Sequence, residues 1–152
     1  PSLINDLAHS MLNNSIKPEV EIFDLAMLYN AIEMVKDGLL IEPLHVQFVF
    51  GIKNALPAKK DILKFQINEL KKYLPQSTWT AAGLGKSQLI VNEWSLELGG
   101  HCRTGLEDNI KYDTTKLANG NEELVERLAL LSKKFDRPVA TPTEAREILG
   151  LG

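Results

Sequence analysis

The sequence has 152 residues, of which 44% are hydrophobic and 24% are charged, a composition typical of a globular protein with a buried core. This length suits one domain and is short for two. No run of about eighteen apolar residues occurs, which argues against a membrane span, and the net charge of −3 without a basic stripe argues against nucleic-acid binding. A single cysteine excludes an internal disulfide and favours the reducing cytoplasm.

Segments with helical spacing of apolar residues alternate with strand-like runs. The chain opens on a helical pattern that stops at Asn13-Asn14-Ser15. The predicted strands are 18–24, 44–51, 77–83 and 101–106. The predicted helices run from Leu25 to a stop at Gly38, then over 58–73, 86–98 and 121–135, with a last short helix capped by Thr141 and supported by Pro142 and Glu144.

This alternation predicts an α/β fold in which four parallel strands alternate with covering helices. A doubly wound sheet should carry a glycine loop after its first strand, but that strand ends in Phe23-Asp24-Leu25. A (β/α)₈ TIM barrel is therefore favoured. Because such a barrel needs eight strands and about 250 residues, residues 1–152 are expected to be half of a single barrel domain.

The segment Gly99-Gly-His-Cys-Arg-Thr-Gly-Leu-Glu-Asp-Asn109 is the richest in chemically useful side chains. If it is a strand, alternation places His101, Arg103, Gly105 and Glu107 on one face, with Glu107 at the carboxyl end. A carboxylate there could bind a divalent metal, and Asp108, turned back toward Arg103, could act as a positioned base. A structural Arg–carboxylate pair explains the same spacing equally well.

Two further features have both a functional and a structural interpretation, and a third, Gln47, has a structural one. Glu21 shares a strand face with Glu19 and could line an active site or form an ordinary salt bridge. Gln47 is interpreted as a satisfied polar core residue. The turn through Gly83 and Gly85 leads into a helix and could bind a cofactor phosphate, or simply require glycine for its geometry.

The remaining candidates are interpreted as structural. His45 and His101 begin their strands, at the stability end of a barrel, and His9 lies in the opening helix. Cys102 should point toward the helices, as a small buried residue rather than a nucleophile.

Several motifs together resemble those of the β-keto acid cleavage enzyme family, over essentially the whole chain. They are Lys17-Pro-Glu-Val-Glu-Ile-Phe-Asp24, Phe50-Gly51, Thr78-Trp-Thr-Ala-Ala-Gly-Leu-Gly85, Arg103-Thr-Gly-Leu-Glu-Asp-Asn109, Glu123-Leu-Val-Glu-Arg127 and Val139-Ala-Thr-Pro-Thr-Glu-Ala-Arg146. The resemblance implies the C-terminal half of a barrel that binds one Zn²⁺ and converts a β-keto acid and acetyl-CoA into acetoacetate and a new acyl-CoA.

The same resemblance implies residue roles. Glu107 would be a zinc ligand, Asp108 the base held by Arg103, and Glu21 a substrate-binding residue of the pocket. The expected partners are the small-molecule keto acid and acetyl-CoA, and the expected assembly is a homotetramer.

Two departures limit what this chain can do by itself. Ile52-Lys53-Asn54-Ala55 stands where the family carries a glycine-rich turn, and the His-x-His zinc motif is absent. We therefore expect no turnover from this chain alone, since catalytic zinc normally takes three protein ligands. The alternatives are a non-catalytic half-barrel with an assembly role, and another metal-dependent, aldolase-type lyase.

Overall fold

A computed structural model describes residues 2–151 as alternating helices and strands. The elements in chain order are α1 (Ser2–Asn13), β1 (Glu19–Ile22), α2 (Leu25–Lys36), β2 (His45–Phe50), α3 (Lys60–Tyr73), β3 (Thr78–Gly83), a 3₁₀ turn (Gly85–Ser87), α4 (Gln88–Glu97), β4 (His101–Cys102), α5 (Asn121–Lys133) and α6 (Pro142–Leu149). Within residues 2–151, every helix is too short or too polar to cross a membrane.

The four strands form one parallel sheet in the order β1-β2-β3-β4. Each strand pairs with the strand that precedes it in the chain, so the sheet is wound in one direction without a switch point. A doubly wound sheet would reverse its strand order, whereas a barrel continues in one sense. The predicted α/β fold of four parallel strands alternating with helices is confirmed, as half of a (β/α)₈ barrel.

The two faces of the sheet differ in polarity. The face toward the helices carries the hydrophobic core, in which Val46, Phe48 and Trp79 are at most 3% exposed. The opposite face, which lies inside a barrel, carries alternating polar residues; strand register places Glu21 beside Gln47 and Gln47 beside Thr80. A polar inner face is what an active site at the end of the strands requires.

Local signals account for the ends of the helices. Asp24 caps α2, accepting a hydrogen bond from the Met27 amide at 2.9 Å. Gly38, just beyond the end of α2, adopts φ +73°, as expected for a residue that terminates a helix. Thr141 and Glu144 form a reciprocal capping box at the start of α6, with Pro142 in its first turn, as predicted.

The last strand is much shorter than the predicted strand 101–106. Only His101 and Cys102 pair with β3, opposite Thr80 and Ala81. Beyond Cys102 the backbone has other hydrogen-bond partners. The Gly105 carbonyl accepts from the Gln88 side chain at 2.9 Å and also from the Asp108 amide. Because these groups are satisfied by a turn and a side chain, no ladder extends past Cys102.

Candidate active site

Four predicted side chains meet at the carboxyl end of the sheet. Glu21 lies near the end of β1, Arg103 follows β4 directly, and Glu107 and Asp108 lie in the turn after Arg103. All three carboxylates contact the Arg103 guanidinium. The structure thus brings the four predicted site residues together, and their chemical roles stay predictions.

The strongest contact in this cluster joins Arg103 to Asp108. Arg103 Nε donates to Asp108 Oδ2 and Arg103 Nη2 donates to Asp108 Oδ1, both at 2.9 Å. The Asp108 side chain is only 4% exposed. Two parallel charge-assisted hydrogen bonds fix both the position and the plane of the carboxylate. Asp108 is therefore held in one orientation, as a positioned base must be.

The same guanidinium also reaches the two other carboxylates. Arg103 Nη1 donates to Glu21 Oε1 at 3.2 Å, and Arg103 Nη2 donates to Glu107 Oε2 at 3.0 Å. Burial alone would lower the pKa of Arg103, but hydrogen bonding and attraction from Asp108, with the charges of Glu107 and Glu21, outweigh it and raise that pKa. Three formally negative groups therefore face one positive group at this end of the sheet.

The route by which these residues meet differs from the prediction. Strand alternation was expected to align Arg103, Gly105 and Glu107, but the strand ends at Cys102, so that argument is wrong beyond this residue. Instead, the turn through Gly105 brings Glu107 and Asp108 back to Arg103. The Asp108 and Asn109 amides both bond to the Gly105 carbonyl, at 3.2 and 3.1 Å, and this reverses the chain toward Arg103.

Glu107 suits one position in a metal site but cannot form a site by itself. Its side chain is 85% exposed at the rim, and its carboxylate oxygens are suitable ligands for Zn²⁺. Among residues 2–151, no group of three or more His, Cys, Asp or Glu side chains is placed to hold a metal ion. The role of Glu107 as a zinc ligand stays a prediction and requires ligands from elsewhere.

The turn after β3 is tied directly to the carboxylate cluster. The Gly85 amide donates to the Asp108 carbonyl at 2.7 Å, and the Leu84 amide donates to the Phe50 carbonyl at 2.9 Å. A Cβ at Gly83 would lie 2.5 Å from the Ser87 carbonyl oxygen, and Gly85 adopts φ +56°. These contacts support the structural interpretation of both glycines, and their predicted cofactor-binding role stays a prediction.

His45 and the Cys102 thiol make their contacts outside this cluster. The two ring nitrogens of His45 contact Thr78 Oγ1 at 2.7 Å and Thr80 Oγ1 at 2.9 Å, at the amino end of the sheet. The Cys102 thiol points to α4 and donates to the Asn92 carbonyl at 3.5 Å, as predicted. Burial raises the pKa of Cys102 to about 11, so the thiol stays protonated at neutral pH.

Gln47 is a buried polar residue with a hydrogen-bond partner, as interpreted from the sequence. Its side chain is buried, with 4% of the residue exposed, and Nε2 donates to Glu21 Oε1 at 2.7 Å. Glu21 therefore accepts from both Gln47 and Arg103 through one oxygen. The alternation of polar residues along both strands was visible in the sequence, but the register that pairs Glu21 with Gln47 was not.

Comparison with known proteins identifies the family. The sequence model of the β-keto acid cleavage enzyme matches residues 1–151. The chain is 49% identical over 151 residues to a 3-oxoadipate:acetyl-CoA acetyltransferase of Cupriavidus necator, covering 99% of this chain and 53% of that protein. It is 38% identical over 150 residues to a 3-keto-5-aminohexanoate cleavage enzyme of Acetoanaerobium sticklandii, covering 99% of this chain and 54% of that enzyme.

Solved structures agree with this fold. The ternary complex of ObcA with a C4-CoA adduct and oxalate superposes with a TM-score of 0.83 at 20% identity, covering 99% of this chain and 41% of that one. The chain thus belongs to the β-keto acid cleavage enzyme family. It spans about half the length of the relatives it matches.

Proposed function

We propose that the protein to which this chain contributes a half-barrel transfers an acyl group from a β-keto acid to coenzyme A, with acetyl-CoA as co-substrate. The bond between carbons 2 and 3 of the keto acid and the acetyl–sulfur bond of acetyl-CoA both break. The acetyl group joins carbon 2 to give acetoacetate, and the remaining acyl group joins the coenzyme A sulfur. The observation that carries this proposal is the Asp108 carboxylate, held by two hydrogen bonds at the carboxyl end of the strands.

In this proposal Asp108 is the base that removes a proton from carbon 2 and later returns one. A useful base needs a fixed carboxylate near the reacting carbon, and Arg103 supplies that fixation while remaining protonated. Glu21 lies on the other side of Arg103 with its side chain 46% exposed, where it can contact the substrate.

Glu107 would contribute one ligand to a Zn²⁺ ion, and the remaining ligands would come from the part of the barrel that this chain does not contain. When bound, zinc supplies a Lewis acid that polarises the ketone oxygen of the substrate. The exposed position of Glu107 beside two other carboxylates supports this role, because it leaves the group accessible to a cation.

The relatives act on keto acids that differ in charge, as their names indicate. Those names include 3-oxoadipate, 3-keto-5-aminohexanoate and 3-dehydrocarnitine. A free Glu21 would favour a cationic substituent, but here Arg103 and Gln47 both donate to it. The 49% identity to the 3-oxoadipate enzyme favours a dicarboxylic keto acid as the first substrate to test.

The test is acetoacetate formation by the complete natural protein from acetyl-CoA and a panel of these keto acids. We expect turnover with at least one of them, and homotetramers by light scattering. Asp108→Asn should lower kcat by roughly a hundred-fold or more, since a positioned base contributes about 10²–10⁴. Asp136→Asn is the matched control, because it removes the same charge at an exposed position with φ +52° that asparagine tolerates.

Two results would count against this function. No acetoacetate with any keto acid would exclude the acyl transfer, and cleavage without acetyl-CoA would indicate an aldolase-type lyase instead. Full activity in Asp108→Asn would show that Asp108 is not the base.

A further inference from the structure

Gln47 occupies a fixed position behind the carboxylate cluster. It is the third residue of β2, an interior strand of the sheet in which all six residues are buried. Its register partner on β1 is Glu21. The Gln47 residue is only 4% exposed, which leaves its side chain little rotational freedom. The Gln47 amide is thus a rigid donor aimed at Glu21.

Glu21 itself is held less firmly by its own strand. β1 has four residues, lies at an edge of the sheet in this chain, and leaves the Glu21 side chain 46% exposed. The hydrogen bond from Gln47 Nε2 measures 2.7 Å, whereas the bond from Arg103 Nη1 to the same oxygen measures 3.2 Å. The shorter bond comes from the buried side, so Gln47 sets where the Glu21 oxygen lies.

We propose that Gln47 is a positioning residue of the reaction. It fixes Glu21, Glu21 fixes one edge of the Arg103 guanidinium, and the opposite side of that guanidinium holds Asp108. This inference rests on the proposed function. In the competing interpretation, Gln47 is a buried amide that simply finds a convenient carboxylate, and the orientation of Arg103 does not depend on it.

The kinetic test compares Gln47→Met with Gln66→Met in the complete natural protein. Gln66 is the matched control because it is also buried, at 1% exposed, but lies on α3 with neither side-chain amide atom hydrogen-bonded to the described residues. We expect Gln47→Met to lower kcat roughly ten-fold with KM nearly unchanged, from the loss of a charge-assisted bond that orients the base. Gln66→Met should leave both constants nearly unchanged.

A double-mutant cycle separates positioning from general destabilisation. If Gln47 acts through Glu21, adding Gln47→Met to Glu21→Gln should lower kcat little further. An equal loss in both backgrounds, or the same loss in Gln66→Met, would overturn the proposal.

A structural measurement tests the inference even if no substrate is turned over. In crystals of Gln47→Met, the Glu21 carboxylate should have left Arg103 Nη1, to beyond about 4 Å, the limit of an ion pair. A Glu21 that keeps its contact with Arg103 would overturn the positioning role. An inactive wild-type protein combined with a displaced Glu21 would instead support this role and contradict the proposed function.

Discussion

Arg103 connects the candidate site residue by residue. Its planar guanidinium donates to Asp108 through Nε and Nη2. Nη2 also donates to Glu107, and Nη1 donates to Glu21. A lysine at this position offers a point charge and cannot reproduce the two-nitrogen contact with Asp108. The sequence shows these residue types, but only the structure shows which nitrogen of Arg103 contacts which carboxylate.

The metal-binding role of Glu107 can be measured without an activity assay. In the complete natural protein, Glu107→Gln should lower the bound zinc, measured by elemental analysis after dialysis, by roughly ten-fold or more, because a neutral amide is a poor zinc ligand. Glu126→Gln, on the exposed side of α5, removes the same charge and should keep its zinc. Equal zinc content in all three proteins would contradict the role of Glu107.

At the scale of elements, the turn between β3 and α4 connects the core to the site. The Gly85 amide holds the Asp108 carbonyl, so the turn helps to set the position of the catalytic candidate. Gly83 permits the close approach, since a Cβ there would lie 2.8 Å from both the Ser87 carbonyl carbon and Val91 Cγ2. Most of these near atoms belong to backbone, which cannot move aside as a flexible side chain can.

We therefore expect Gly83→Ala to destabilise the complete protein by about 1–3 kcal/mol, the usual cost of overpacking. The measurement is the free energy of unfolding from urea titration. Gly120→Ala is the control, because its backbone is extended and the new Cβ meets only the mobile carboxylate end of Glu122. A Gly83 variant as stable as the Gly120 variant would show that the turn has room to relax.

For the folded protein as a whole, we expect the free energy of unfolding to depend on pH through the protonation of His45. Burial, followed by the charges of His101 and Lys17, lowers the pKa of His45 from 6.5 to about 4. Between these two values the unfolded chain binds a proton that the folded chain does not, so the free energy of unfolding falls as pH drops from 6.5 toward 4. Both ring nitrogens contact threonine hydroxyls, an arrangement that suits a neutral ring.

Replacing His45 by Gln should remove part of this acid sensitivity. The measurement is the free energy of unfolding of the complete protein at several pH values between 4 and 7. His9→Gln, which replaces an exposed histidine of α1 in the same way, is the control variant. The same slope in the His45 variant as in the wild type would contradict the lowered pKa.

The half-barrel also leaves large apolar side chains exposed on α1 and α5. Leu3, Ile4 and Leu7 on α1 are 68%, 57% and 53% exposed, and Val125 and Leu130 on α5 are 55% and 53% exposed. In the chain, α1 precedes β1 and α5 follows β4, and β1 and β4 are the two edge strands of the sheet. These are the positions where further strands and helices of a barrel would pack.

We expect the 152-residue chain, produced by itself, to form no acetoacetate above background, because its metal site is incomplete. Glu107 is the only zinc ligand proposed for it, and residues 2–151 contain no cluster that could complete the metal site. Adding zinc should not restore activity. Acetoacetate formation by material shown by intact mass to contain only these residues would contradict this prediction.

The sequence alone predicted the alternation of strands and helices, the end of α2 at Gly38 and the capping box of α6. It also offered Glu21, Arg103, Glu107 and Asp108 as site residues, and their roles stay predictions. These features follow from local periodicity and from residue chemistry. Only the folded structure shows where β4 ends and that Gln47 and Arg103 both donate to Glu21 Oε1. Both depend on strand register and on which backbone groups find partners across the sheet, and such pairings join residues far apart in the chain, where local patterns carry no information.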